Sequence, residues 1–138
     1  MLEFGEKIPG HEYTLRPGAY AVVMKDNLYA IVKNPKSCFL LGGGIEADET
    51  PEEALHREVY EEIGMSMRID EKIGVAMQHI YVPEADVYIS KEGHFYRVTL
   101  LDLVSESSET NHELLWLTKE EALEKLLHES HQWAIKTT

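Results

Sequence analysis

Between Thr50 and Gly64 the chain carries helix punctuation at both ends, and the residues between are strongly patterned. Thr50 stands where an N-cap hydroxyl accepts a backbone N–H, Pro51 occupies the first helical position, and Glu53 completes a capping box. Gly64 stands where a left-handed residue ends a helix. The spacing predicts a helix over residues 51 to 63. Eight carboxylates face a single arginine between Glu46 and Glu62. A segment of that charge either faces bulk water or holds a cation.

Helical geometry narrows the choice. At ~100° per residue, Glu58, Glu61 and Glu62 share one arc, Leu55, Val59 and Ile63 fill the neighbouring arc, and Ala54 projects with the glutamates. The apolar arc seats the helix on a core and leaves the acidic arc at the edge of a cleft. Like charges at i, i+4 repel unless solvent or a cation relieves them, and hard divalent ions such as Mg²⁺ take oxygen ligands of this kind. Upstream, Gly42-Gly43-Gly44 can bring bare backbone to a phosphate or offer a carbonyl to a metal.

Composition removes other readings. The length of 138 residues suits a single domain over 1–138 with its own core. Cys38 is the only cysteine, and the first residues lack the basic and apolar regions of a signal peptide. With no apolar run long enough to span a bilayer, the chain is expected to be cytoplasmic and without a membrane partner. A net charge of −12 disfavours DNA and RNA but not a small nucleotide, since bound divalent cations reverse the local field.

Residues 1 to 17 read as an irregular or edge-strand lead-in. Ala19 to Met24 reads as a buried strand, Lys25-Asp26-Asn27 as a turn, and Leu28 to Val32 as the second arm of a hairpin. Cys38 to Leu41 is a short strand running into a glycine loop. Strand composition recurs at Ser66–Asp70, Val75–Val82, His94–Val104 and Glu113–Leu117, with a loop over Ser105–Asn111. A second helix opens at Thr118, whose hydroxyl and Glu121 repeat the capping box, and carries a stripe of Leu123, Leu126, Leu127, Ser130 and Trp133 or Ala134. Many strands with two separated helices indicate an α+β layered domain.

The acidic stretch fits Gly-x5-Glu-x7-Arg-Glu-aliphatic-x-Glu-Glu-x-Gly-hydrophobic at Gly43, Glu49, Arg57, Glu58, Val59, Glu61, Glu62, Gly64 and Met65. With common residues at about 7% each, seven fixed identities arise by chance with probability on the order of 10⁻⁸ at a given start. A solvated acidic face does not account for that spacing. The stretch is the signature of the Nudix hydrolases, which the chain resembles over most of its length.

The resemblance implies an αβα sandwich with a mixed sheet, and hydrolysis of a nucleoside diphosphate linked to another group, with Mg²⁺ or Mn²⁺. It implies Glu58, Glu61, Glu62 and the Gly42 or Gly43 carbonyl as metal ligands, with Gly43 and Gly44 against substrate. Glu58 or Glu61 would act as general base. Some relatives use a later loop glutamate, for which Glu106, Glu109 and Glu113 are candidates and Glu109 is preferred. Glu49 and Arg57 fall at positions associated with a supporting ion pair. Leu41 replaces a frequent proline and Asp48 a frequent glycine, both mild departures.

Arg16 and Arg97 are scarce cations and candidate phosphate contacts. His56 lies off the acidic arc and reads as a surface residue. His112, His128 and His131 lack zinc spacing with a cysteine, Cys38 reads as a small core residue, and Tyr20, Tyr29, Tyr81, Phe95 and Trp116 read as core rather than base-stacking residues. Glu46, Asp48, Glu52 and Glu53 read as solvated or capping. A nucleotide-binding regulatory module without turnover is the competing function. Oligomeric state, monomer or homodimer, is left open.

Overall fold

The computed structural model describes residues 1–106 and 112–138. Its strands are β1 (Leu2–Phe4), β2 (Thr14–Val22), β3 (Met24–Lys25), β4 (Leu28–Lys33), β5 (Cys38–Gly44), β6 (Met65–Val82), β7 (Val87–Leu103) and β8 (Glu113–Leu117), and its helices are α1 (Pro51–Ile63), α2 (Lys119–Lys125) and α3 (Glu129–Lys136). The strands are ordered β1-β6-β7-β2-β5-β4-β3, with β8 on β4. β1 with β6 and β2 with β7 are parallel, and the other pairs are antiparallel. The sheet is therefore mixed.

Two apolar cores separate the layers. On one face Ala54, Leu55 and Val59 of α1 pack with Ala19, Ala21, Leu41, Tyr96 and Val98. On the other, Ala122, Leu126, Ala134 and Ile135 pack with Val22, Ile31, Leu40 and Phe95. Alternate residues of β2 and β7 serve opposite cores, as the two-residue period of a strand requires. The architecture is the α+β sandwich of a mixed sheet between helices.

Helix α1 spans Pro51–Ile63, with the Thr50 capping box formed in both directions and Gly64 at φ 68° as its left-handed end. The strands depart from the sequence reading in four places. The Asp26-Asn27 turn, with φ of 54° and 64°, joins β4 to the short β3 and not to the Ala19–Val22 run. That run lies between β5 and β7, because residues buried on both faces need neighbours on both sides.

The glycines are not a loop but the end of β5, where Gly42, Gly43 and Gly44 pair with Tyr20, Ala19 and Gly18. Gly74 does not divide β6; the irregularity is absorbed as register shifts within one strand. The β7 strand begins at Val87, seven residues ahead of the expected His94.

The C-terminal helix is two helices. Leu126 takes an extended conformation, and its neighbour Leu127 donates its N–H to the Cys38 carbonyl at 3.1 Å. This contact with β5 interrupts the helical ladder, and Leu127 leaves the apolar stripe for solvent.

Candidate active site

Leu55 and Val59 fix the rotation of α1 about its axis, and the glutamates follow from that rotation. Ala54 shares the buried arc rather than the acidic one and packs in the core, correcting the expectation that it lines the cleft. Glu62 is nearly buried at the end of β5. Its Oε1 accepts the Gly42 N–H at 2.9 Å, and its Oε2 stands 3.3 Å from His112 Nδ1.

Glu58 lies directly beneath Gly43. A Cβ built on Gly43 would fall 2.6 Å from the Glu58 carboxylate, so only glycine lets the strand come this close. Glu61 is the most exposed of the three.

Arg57 ties the helix to the strand. Its Nε and Nη2 donate to the two Glu49 oxygens at 2.7 and 2.8 Å, and Nη2 also donates to the Gly44 carbonyl at 2.9 Å. Its Nη1 reaches Glu58 at 3.0 Å and Glu61 at 3.4 Å. The guanidinium fork holds the Glu49 carboxyl down to about 2, and Glu49 in turn raises the Arg57 pKa. Tyr20, behind Gly42, is pushed up to about 12 by burial first and then by the charges of Glu58 and Glu62.

The three glutamates share one side of α1 but do not meet at a point: Glu58 and Glu61 lean toward Arg57 while Glu62 turns to Gly42 and His112. Among the described residues no three His, Cys, Asp or Glu side chains stand close enough to enclose an ion. The donor set nonetheless fits a hard divalent cation. It consists of carboxylate oxygens beside a strand end, where the missing side chain at position 43 leaves room for the Glu58 carboxylate.

A hollow of about 150 Å³ opens beside these groups, lined among others by Tyr20, Phe39, Gly42, Gly43, Glu62 and His112. A larger hollow of about 410 Å³, with Leu100, Leu114 and Trp116 in its wall, has no carboxylate lining it.

The remaining candidates divide. Arg16 is exposed on β2, in register with Lys91. Arg97 is not brought to the carboxylates. It pairs with Glu71 at 2.8 Å on the opposite face from α1 and borders a separate hollow with Asp70 and Thr138, because its neighbours Tyr96 and Val98 take the α1 face.

Glu52 is not simply solvated, since it accepts the Tyr96 hydroxyl proton at 2.8 Å. Glu53 caps α1, His56 is exposed and Cys38 is buried. Glu109 lies outside the described residues.

Sequence reasoning passed over Phe39 and Lys91 as site residues, and considered His112 and His128 only as zinc ligands, setting them aside. Their positions depend on which distant strands pair, and no local spacing marks them.

A family model described as NUDIX domain matches residues 14–137. Over 59 residues the chain is 42% identical to an ADP-ribose pyrophosphatase of Methanocaldococcus jannaschii, a segment amounting to 39% of this chain and 35% of that protein. The match thus spans about a third of that curated relative's length.

Its fold is similar to a NUDIX hydrolase from Nitrosomonas europaea, with TM-score 0.75 and 18% identity over 90% of this chain and 88% of that one. It is also similar to a MutT protein from Bacillus halodurans, with TM-score 0.70 and 21% identity over 88% and 80% of the two chains. At such identities the structural likeness is one of fold.

Proposed function

The chain belongs to the Nudix family, whose members act on nucleoside diphosphate derivatives and generally use divalent metal ions, and from that premise we propose that it is a Mg²⁺-dependent pyrophosphohydrolase. The observation that carries the reading is the approach of Gly43 to Glu58 beside the buried Glu62, which sets carboxylate oxygens against bare backbone at the end of β5.

Glu58, Glu61, Glu62 and the Gly42 carbonyl would hold the metal. When bound, Mg²⁺ supplies charge neutralisation of the diphosphate oxygens and a lowered pKa for a coordinated water.

The chain's own residues do the rest. The bare backbone of Gly43 and Gly44 admits a phosphate to the end of β5. Glu58 or Glu61 accepts the proton of the attacking water as its oxygen bonds to phosphorus and the bridging P–O bond breaks. Glu109 stays a candidate for that base. Glu49 and Arg57 keep α1 against Gly44 so that the carboxylates do not drift from the strand.

ADP-ribose heads the substrates to test, on the strength of the partial relative. A panel of nucleoside triphosphates, nucleotide sugars, ADP-ribose and dinucleoside polyphosphates, assayed with Mg²⁺ and with Mn²⁺, tests the reading. Turnover of at least one class is expected. Measurable nucleotide binding with no turnover of any compound would replace it with a binding-only regulatory module.

A further inference from the structure

The parallel pairing of β2 with β7 sets Arg16 beside Lys91. Lys91 Nζ stands 3.0 Å from His128 Nε2 and 5.9 Å from the centre of the Phe39 ring. An ammonium has three N–H donors, and His128 takes one. Among the described residues Lys91 has no other hydrogen bond and no ion pair, and Arg16 has neither. In a chain of net charge −12 two adjacent uncompensated cations are unusual.

The histidines behind them act as spacers rather than charges. Burial first, and then the Lys91 charge, lowers His128 to about 4, so a neutral imidazole turns its Nε2 lone pair to the ammonium and keeps its proton on Nδ1. His131, fully buried, accepts the Leu40 N–H on Nδ1 at 3.2 Å and packs 4.5 Å from the Tyr20 ring. Burial, followed by the charge of Arg16, disfavours the Lys91 cation where it sits. An anion facing its two open N–H groups would relieve that cost.

The location ties the cations to the site. Phe39 and Tyr20 line the hollow shared with Gly42, Gly43 and Glu62. Phe39 also packs on His128, at 5.5 Å between ring centres. Phe39 therefore stands between that hollow and Lys91, with one wall on each.

Resting on the pyrophosphohydrolase reading above, we propose that Lys91, seated on His128 and flanked by Arg16, is a subsite for a further phosphate group of the substrate, beyond the diphosphate held at the glutamates. The favoured substrate class is then a nucleoside diphosphate linked to a moiety that itself carries a phosphate. Lys91 acts as a point charge whose direction is set by one imidazole, and Arg16 adds a solvent-facing guanidinium at the rim.

Two measurements test the subsite. In the first, the imidazole resonance of His128 is followed by NMR as inorganic phosphate is added at neutral pH without divalent metal. The wild type should show a saturable shift, Lys91→Arg should retain it, and Lys91→Met should lose it, with Lys91→Gln replacing Lys91→Met if the latter does not fold. A wild type without a saturable shift, or a Lys91→Met protein that responds like wild type, overturns the subsite.

In the second, kcat/KM is compared for ADP-ribose and its ribosyl phosphate ester, which differ only in the added group. The wild type should prefer the ester, and Lys91→Met should lower that preference about 10- to 100-fold, the scale of one charge-assisted hydrogen bond. Equal preference in both proteins overturns the subsite while leaving the hydrolase reading intact. A persistent phosphate response with no turnover of any nucleotide does the reverse.

Discussion

Replacing Gly43 by alanine tests whether the close approach of β5 to Glu58 serves chemistry. The added methyl carbon would lie 2.6 Å from Cδ and Oε2 of Glu58 and 2.8 Å from Oε1. Ordinary contact begins near 3.4 Å, so the carboxylate must retreat by about 0.8 Å. Arg57 already holds Glu58 Oε1 at 3.0 Å, which limits where the group can go.

Because the clash falls on the end of a flexible side chain and Gly43 is not among the glycines with positive φ, the fold should survive with a small change in Tm. A displacement of that size at a reacting centre costs about 10²-fold, or roughly 2.7 kcal/mol of transition-state stabilisation. The assay is kcat/KM with Mg²⁺ on the best substrate of the panel, beside a thermal melt.

Glu58→Asp supplies an internal control, since its shorter chain makes room for the methyl group. The double variant should be less impaired than the product of the two single effects. Wild-type kcat/KM in a folded Gly43→Ala protein, or strict additivity of the two changes, would refute the reasoning.

Other perturbations have equally definite outcomes. Glu62→Gln keeps an acceptor for the Gly42 N–H but removes the charge, and should lower kcat by at least ~10²-fold; a near-normal rate would remove Glu62 from the metal site. Leu55→Ala, at a fully buried position that seats α1, should cost about 2–5 kcal/mol in urea unfolding, and a loss well under 1 kcal/mol would mean that α1 is not anchored there.

The lowered pKa of His128 predicts a pH dependence. Between the ordinary value of 6.5 and the folded value of about 4 the unfolded chain binds the proton that the folded chain refuses, so this contribution is complete above pH 6.5 and lost as pH falls toward 4. Urea midpoints across that window should decline less steeply for His128→Gln, and parallel curves would contradict the assignment.

The residues at 50–64 determined α1 almost unaided. The capping box joins Thr50 to Glu53 and the left-handed Gly64 donates its N–H to Tyr60, each signal acting within three or four positions of itself, so tertiary contacts had little left to decide about where the helix begins and ends. The Glu49–Arg57 ion pair, eight positions apart, was legible only through the resemblance of the stretch to the Nudix signature, since Glu49 lies ahead of the helix that carries Arg57.

What depended on long-range pairing was not legible. The glycines became strand instead of loop because β2 offers Gly18 and Ala19 as small partners, a fact set by a register across the sheet. The last helix broke where Leu127 met the Cys38 carbonyl, and the break put His128 at its turn.

Helical periodicity grouped the three glutamates on one side, but Arg57, Gly42 and His112 draw their carboxylates apart, which no pattern along α1 encodes. The cluster of Arg16, Lys91 and His128 depends most on tertiary structure. Arg16, Lys91 and His128 come from three elements far apart in the chain, and only the parallel β2–β7 pairing together with the broken C-terminal helix brings them side by side.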